Sequence, residues 1–299
     1  RFEKYYSPVL LSKLILRSQN ENLAREEAAL GAVHDLSNFP MMGSEEIFQL
    51  GNKVESPAAW TWIIGTNTRL KPFNDKNIRI AFRNSISSEA FRKTFYPDAI
   101  PAFGYVPPGM PGHRDKPMEA INTKVKIPKE KIKILVPSEL AEQNAMRLFL
   151  EKQLRDHGWD VEFVAAEWKT LMDGYNGKNL QGFLVAMNID YPDTEFLVRN
   201  FESSNPDNFS GLKDKRIDTL IQKARVTQDR IARDKLYVEI ANLIDDAAVT
   251  VNLFHPRSHY WINKCVTGFE ANLLSDVYID YTKVGFQKNC VLASREVSK

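Results

Sequence analysis

Between residues 130 and 190 short apolar runs alternate with amphipathic ones, and that order leaves few folds open. Ile132 to Val136 reads as a strand, and Ser138 behind it is a residue type that accepts from the free N–H groups of a helix start. An amphipathic helix follows, with Ala141, Ala145, Leu148 and Leu154 expected on its buried side and Gly158 as its stop. Val161 to Ala165 then reads as a strand, Trp168 to Met172 as part of a helix, and Phe183 to Met187 as a further strand. Strands joined through helices cannot pair as hairpins, so β-α-β-α-β predicts parallel strands covered by helices. The expected class is α/β, a mixed sheet flanked by helices.

The flanking regions extend this pattern. Lys13 to Arg17 reads as a strand and Asn22 to Val33 as a helix capped by Asn20 or Asn22, with a strand and a helix following through Phe48. Trp60 to Gly65 carries β-formers, leads into Asn67, and is followed by a turn over Lys71 to Asp75. Ile78, Ala81, Phe82 and Ile86 share one helical face, and Ser87 or Ser88 caps the next helix, whose Phe91 faces the core. Residues 96–128 are rich in proline, including Pro107 to Gly112, and form either a long ordered excursion or a linker. Helices are expected over Ile217 to Ala224 and Gln228 to Ala247, the latter burying Ile231, Leu236, Tyr237, Ile240, Leu243 and Ala247. Strands near Val249 to Phe254 and Val277 to Tyr281 complete the fold, and the polar tail, residues 289–299, is expected to be disordered.

Composition removes several functions. With 299 residues and 43% hydrophobic content the chain can bury a substantial core, and a net charge of +2 with both signs interspersed gives no basic stripe for nucleic acid. No run of eighteen apolar residues is present. Arg1 to Gln19 lacks both an initiator Met and the order of a secretory signal, so an upstream segment is expected to have been removed. Cys265 and Cys290 are compatible with one disulfide or none. Glu26-Glu27 and Asp245-Asp246 are adjacent pairs that point apart on helices. His255 and His259 are separated by Pro256, which argues against a helical metal pair. No phosphate loop, nucleophile elbow or zinc-protease motif occurs, so neither catalysis nor a cofactor or metal is expected.

In open α/β sheets ligands bind outside the carboxyl ends of strands, which directs attention to Asn188 to Tyr191 after the strand ending at Met187. Asp190 there also reads as the cap of a helix beginning near Pro192. Trp60 and Trp62, two apart, share one face of a strand and either line a cleft or pack in the core. Arg69 and Lys71 either meet a ligand carboxylate or lie solvated on the surface.

Several segments, in order, resemble the peptide-type (family 5) solute-binding proteins of ABC transporters, a group with oligopeptide, dipeptide and nickel binders. They are Asn67 with Pro72-Phe73-Asn74-Asp75 and Arg79 to Phe82; Pro107 to Gly112; Asp190 to Asp193; and Asn208 to Gly211. Ile217-Asp218 with Leu220 and Ala224, then Asp229, Arg233 and Leu236-Tyr237, continue the series. The resemblance implies a type II periplasmic-binding-protein fold of two lobes, of which residues 1–288 are the C-terminal lobe, with hinge-side strands near 5–17 and 278–286. It implies a receptor that captures a peptide or other small solute between its lobes and hands it to an ABC permease. Its partners would be that permease and an N-terminal lobe outside this sequence, and its place would be periplasmic or otherwise extracytoplasmic, either free or held at the cell surface by a lipid anchor. By residue match Asp190 pairs with the ligand ammonium, while Met187 stands where the family usually has Trp. Together with the residues singled out from strand ends and loops, the expected ligand-binding set is Asp190, Asn188, Met187, Tyr191, Trp62 and Arg69. A different class remains open: the ligand-sensing domain of a transcription regulator, which upstream sequence would distinguish.

Overall fold

The computed structural model describes residues 9–17, 21–31, 35–37, 49, 51–119, 121, 124–138, 143–274 and 278–288. In chain order its strands are β1 (Asp35–Ser37), β2 (Gly51–Pro57), β3 (Thr61–Thr66), β4 (Ile100–Pro101), β5 (Ile132–Pro137) and β6 (Val161–Ala166). They continue with β7 (Gly182–Met187), β8 (Thr250–His255), β9 (Arg257–Asn263), β10 (Val266–Thr267) and β11 (Gly285–Phe286). The chain divides into two compact units, residues 59–256 and residues 1–58 with 257–299.

The unit of residues 59–256 is built on a six-stranded sheet in the order β4-β8-β3-β7-β5-β6. β5 runs parallel to β6 and β7, as the β-α-β-α-β order requires, whereas β3 runs antiparallel to both β7 and β8. The sheet is therefore mixed. β3 and β7 lie inside it and are buried along most of their length, which explains their nearly unbroken apolar sequence. One face packs Ile132, Ile134 and Val136 against Met146, Leu150 and Leu154 of the helix Gln143–Asp156, together with Phe82 and Trp159.

That helix is phased differently from expectation. Ala145 and Leu148 are exposed, Leu148 at 65%, because the stripe that meets the sheet is Met146, Leu150 and Leu154, spaced by four. Larger side chains fill the groove better than alanine does; Ala141 lies outside the described residues. In the helix Arg230–Ala247, Ile231 is likewise exposed and Leu243 only partly buried, while Leu236, Tyr237, Ile240, Ala241 and Ile244 face inward. Nine residues from Ile240, Ile231 falls about 180° around the helix.

The resembling motif residues mostly hold local structure. Asp75 accepts from the N–H of Asn77 at 2.8 Å and caps the helix Lys76–Asn84; Asp229 accepts from Ala232 at 2.7 Å and caps the helix Arg230–Ala247. Arg79, buried inside its helix, donates to the carbonyls of Ala247 and Phe73 at 3.0 and 2.8 Å. Asn67 donates to the carbonyls of Lys178 and Leu180, both at 3.0 Å. Within the proline-rich segment, Tyr105 and Val106 are fully buried, and at Gly112, whose φ is +98°, an added Cβ would lie only 3.0 Å from the Ala241 side chain. Of the two readings of that segment, the ordered excursion is the one observed.

The same excursion buries a carboxylate. Asp245, 3% exposed, accepts from the Tyr105 N–H at 3.1 Å and lies 3.7 Å from Arg114. Desolvation pushes its carboxyl up to about 6, and Arg114 only partly counters this. Well below pH 3.8 the group is neutral in both folded and unfolded chains. Between there and about 6 the unfolded chain loses its proton first, so stability falls as pH rises through that window. Asp245→Asn is thus expected to stabilise the protein by about 2–3 kcal/mol at pH 7 and not at a pH well below 3.8, as read by thermal unfolding at both values. An equal effect at the two pH values would contradict the assignment.

In the other unit, β2 and β9 pair antiparallel over seven positions, from Gly51 opposite Asn263 to Pro57 opposite Arg257, and β1 pairs with the other edge of β9. Neither β2 nor β9 was expected. Lys13 to Arg17 is not a strand: these residues have no ladder partner among the described residues, and Leu14, Ile15 and Leu16 are exposed. The N-terminal helix spans Glu21–Ala29 and ends in a turn at Gly31, so Asn22 lies inside it. Tyr278 to Tyr281 forms turns through Tyr278 N–H to Leu274 and Tyr281 N–H to Ile279, and the late strand is β11, paired with β10. The helix expected before Phe48 and the tail, residues 289–299, lie outside the described residues. Cys265 is disulfide-bonded, its partner also lying outside them. No helix among the described residues is long and apolar enough to cross a membrane.

Candidate functional site

The antiparallel register of β3 and β7 places Thr61 opposite Met187 and Thr66 opposite Gly182. The amino end of β3 therefore meets the carboxyl ends of β5 and β7 at one edge of the sheet. A crevice of about 380 Å³ opens there, lined by Trp60, Trp62, Pro137, Trp168, Val185, Ala186 and Asn188. Three indoles and three aliphatic side chains make its wall apolar, and Asn188 contributes the one side-chain amide. Such a surface holds apolar groups by burial and ring contact rather than by charge.

Each indole is held by a different element. Trp62 is half-buried and stacks on the fully buried Phe254 of β8, with centroids 5.9 Å apart and planes 19° apart. Trp60 precedes β3, and its carbonyl is 3.3 Å from Nδ1 of His255, which is itself 3.0 Å from Thr61 Oγ1. Thr61 donates its hydroxyl proton to the Tyr105 carbonyl at 2.8 Å, so Nδ1 of His255 is the donor to both neighbours. Burial pushes the imidazole down to about 3, with His113 adding to the effect, so the ring is neutral. The Trp60-Thr61-Trp62 segment is thereby fixed by an uncharged clamp. Trp168, 53% exposed, starts the helix Trp168–Gly177 directly after β6.

Beyond β7 the chain turns along the same edge. Ile189, 1% exposed, anchors the turn, and Asn188, Asp190 and Tyr191 are exposed. The helix behind them spans Glu195–Val198, so Pro192 does not occupy its first turn. The residue that serves the helix start is Asp193, whose Oδ1 accepts from the Glu195 N–H at 2.9 Å. Asp190 does not cap, and among the described residues its carboxylate takes no hydrogen bond or ion pair. Tyr191 donates to Glu195 at 2.9 Å and sets its ring edge-on to Phe196.

The structure thus brings Trp62, Asn188, Asp190 and Tyr191 to one edge of the sheet. Met187, the last residue of β7, is half-buried and does not line the crevice. Arg69 lies past the opposite end of β3, a six-residue strand that spans about 20 Å. Its guanidinium donates to the carbonyls of Phe209 and Asn208 at 3.1 and 3.0 Å. It is engaged in holding the loop at Asn208 to Gly211. Trp168 and Pro137 were not singled out from the sequence, although a tryptophan immediately after a strand of a parallel layer is placed at the carboxyl edge by topology alone.

Residues 1–209 match the family described as bacterial extracellular solute-binding proteins, family 5 Middle. The dipeptide-binding protein DppE of Bacillus subtilis is 22% identical over 267 residues, a match covering 82% of this chain and 49% of that protein. This chain therefore spans about half the length of that relative. Among solved structures, the ABC transporter substrate binding protein CtaP from Listeria monocytogenes superposes with a TM-score of 0.79 at 17% identity, over 90% of this chain and 59% of the other. The periplasmic binding protein DppA from Helicobacter pylori, in complex with peptide STSA, gives 0.75 at 20% identity, over 96% and 59%. At these identities the superpositions show the fold, that of the type II periplasmic binding proteins.

Proposed function

Since the chain belongs to family 5 of the bacterial extracellular solute-binding proteins, we propose that it forms one wall of a solute-capturing cleft in the receptor of an ABC importer. The observation that carries this reading is the apolar crevice at the carboxyl edge of β5 and β7, with the exposed carboxylate of Asp190, unpaired among the described residues, on the turn beside it. The ligand class is a peptide, or another small solute with a free amino group and an apolar portion. Asp190 receives the ammonium, Asn188 hydrogen-bonds the ligand backbone, and Trp60, Trp62 and Trp168 cover its apolar part. Two relatives support the class by their names, one a dipeptide-binding protein and the other solved with a peptide.

In this reading residues 1–288 act as the C-terminal lobe, and a lobe outside this sequence closes over the ligand and presents the complex to a permease. The protein binds its solute without transforming it. The oxidised Cys265 supports an extracytoplasmic location, where disulfides persist. No observation favours a regulator's sensing domain. Calorimetric titration of the full-length protein with pools of free-amino tripeptides tests the reading. Saturable binding is expected, with much weaker binding to residues 1–299 alone, since half the burying surface is then missing. Absence of heat with every pool would count against a peptide receptor.

A further inference from the structure

The Tyr191 hydroxyl on the turn bearing Asp190 is tied to the helices behind it through the Arg225 guanidinium. Tyr191 donates its hydroxyl to one oxygen of Glu195 at 2.9 Å, and the other oxygen accepts Nε and Nη2 of Arg225 at 3.0 and 2.8 Å. Arg225 stands in the last turn of the helix Lys215–Val226 and also binds Glu202, with Nη1 to Oε1 at 3.1 Å and Nη2 to Oε2 at 2.9 Å. Glu202 is 7% exposed and accepts from Gln222 as well. One cation thus separates two largely buried carboxylates. Without it they would face each other as like charges, and Glu195, the more exposed of the two side chains, is the one free to move away. Tyr191 would lose its acceptor with that movement.

Further ties act on the same turn. Asp193 lies 3.7 Å from Arg233, and Thr194 donates to the Pro111 carbonyl at 2.8 Å. None of them reaches the Tyr191 hydroxyl, although the Asp193 N–H donates to the Tyr191 carbonyl at 2.8 Å and Asp193 also accepts from the Tyr237 hydroxyl. Arg225 is not part of the crevice wall, so it has no direct contact with a solute held there.

We propose that Arg225 is a positioning residue for solute capture: through Glu195 and Tyr191 it holds the Asp190 to Asp193 turn in the conformation that leaves the Asp190 carboxylate open to a ligand ammonium. The proposal rests on the reading of Asp190 given above, so its test carries one readout that needs no ligand. Hydrogen exchange over residues 189–195 is measured in the full-length protein and in Arg225→Ala, Arg225→Lys and Tyr191→Phe. Affinity for a pool of free-amino tripeptides is titrated in the same proteins and in the Arg225→Ala/Tyr191→Phe double variant.

Exchange over 189–195 is expected to rise in Arg225→Ala without ligand, and affinity to fall at least tenfold, with partial recovery in Arg225→Lys. The double variant is expected to lose no more than the worse single variant, because both changes cut the same chain of contacts. Should Arg225→Ala fail to fold, Glu195→Ala replaces it: it removes the acceptor shared by Tyr191 and Arg225 and is expected to raise exchange over 189–195, and unchanged exchange there would overturn the proposal. Unchanged exchange in Arg225→Ala, or losses that multiply in the double variant, would overturn the proposal. A wild-type protein that binds no tripeptide would instead remove the peptide reading, while the exchange result still decides whether Arg225 holds the turn.

Discussion

Phe254→Ala is expected to lower the unfolding free energy by about 3–5 kcal/mol, the range for truncating a fully buried aromatic ring. Phe254 is 0% exposed and stacks on Tyr96 with centroids 4.3 Å apart, on Trp62 at 5.9 Å and on Phe91 at 6.3 Å. Three rings therefore face the void its removal leaves, and the surrounding sheet and helix leave little room for them to collapse into it. The ring also backs Trp62, so the variant is expected to bind solute more weakly even where it remains folded. Urea unfolding followed by far-UV circular dichroism gives the stability, and a loss under 1 kcal/mol would mean that the aromatic cluster is not the support of the crevice wall. Trp62→Ala, at a half-buried site, is expected to destabilise less than Phe254→Ala while weakening ligand binding directly.

Asp190→Ala is expected to reduce affinity for free-amino tripeptides by about 10- to 150-fold, the equivalent of one charge-assisted hydrogen bond of about 1.5–3 kcal/mol. An exposed carboxylate with no partner among the described residues loses nothing structural on truncation, so unfolding is expected to stay within about 0.5 kcal/mol of wild type. N-acetylated tripeptides supply the second arm: lacking the ammonium, they are expected to bind wild type and Asp190→Ala alike. Arg69→Ala is the control at the far end of β3, expected to destabilise the loop it clamps and to leave affinity unchanged. If Asp190→Ala kept wild-type affinity, or Arg69→Ala lost it, the wall would have been assigned to the wrong end of the sheet.

The parallel layer was legible because β5, β6 and β7 are short apolar runs separated by helices with clear stops, and such strands have no other way to satisfy their backbones. Helical phase was less secure. Leu148 and Ile231 are apolar residues on faces that the packing leaves in solvent, and periodicity does not distinguish them from true core positions. β2 was illegible for a different reason: Gly51 to Pro57 contains one large aliphatic residue, Val54, and is a strand because β9, some two hundred residues later, pairs with it.

The site shows the same division. Asn188, Asp190 and Tyr191 follow from the rule that ligands gather at strand carboxyl ends, which needs only the local order of elements. Placing Arg69 needs the knowledge that β3 runs antiparallel to β7, a long-range pairing with no signature in the strand's own residues. The Arg225 relay joins residues thirty positions apart and becomes visible only once the helix Lys215–Val226 is seen packed behind the turn.

Photo-crosslinking gives the most direct test of where the solute lies. Tripeptides carrying a benzophenone side chain are bound to the full-length protein, irradiated, and the adducts mapped by mass spectrometry. Adducts are expected on Trp60, Trp62, Trp168 or residues 185–191 and to disappear with excess unlabelled peptide. Competable adducts confined to residues 66–71, 178–181 or 208–211, at the other end of the strands, would contradict the placement.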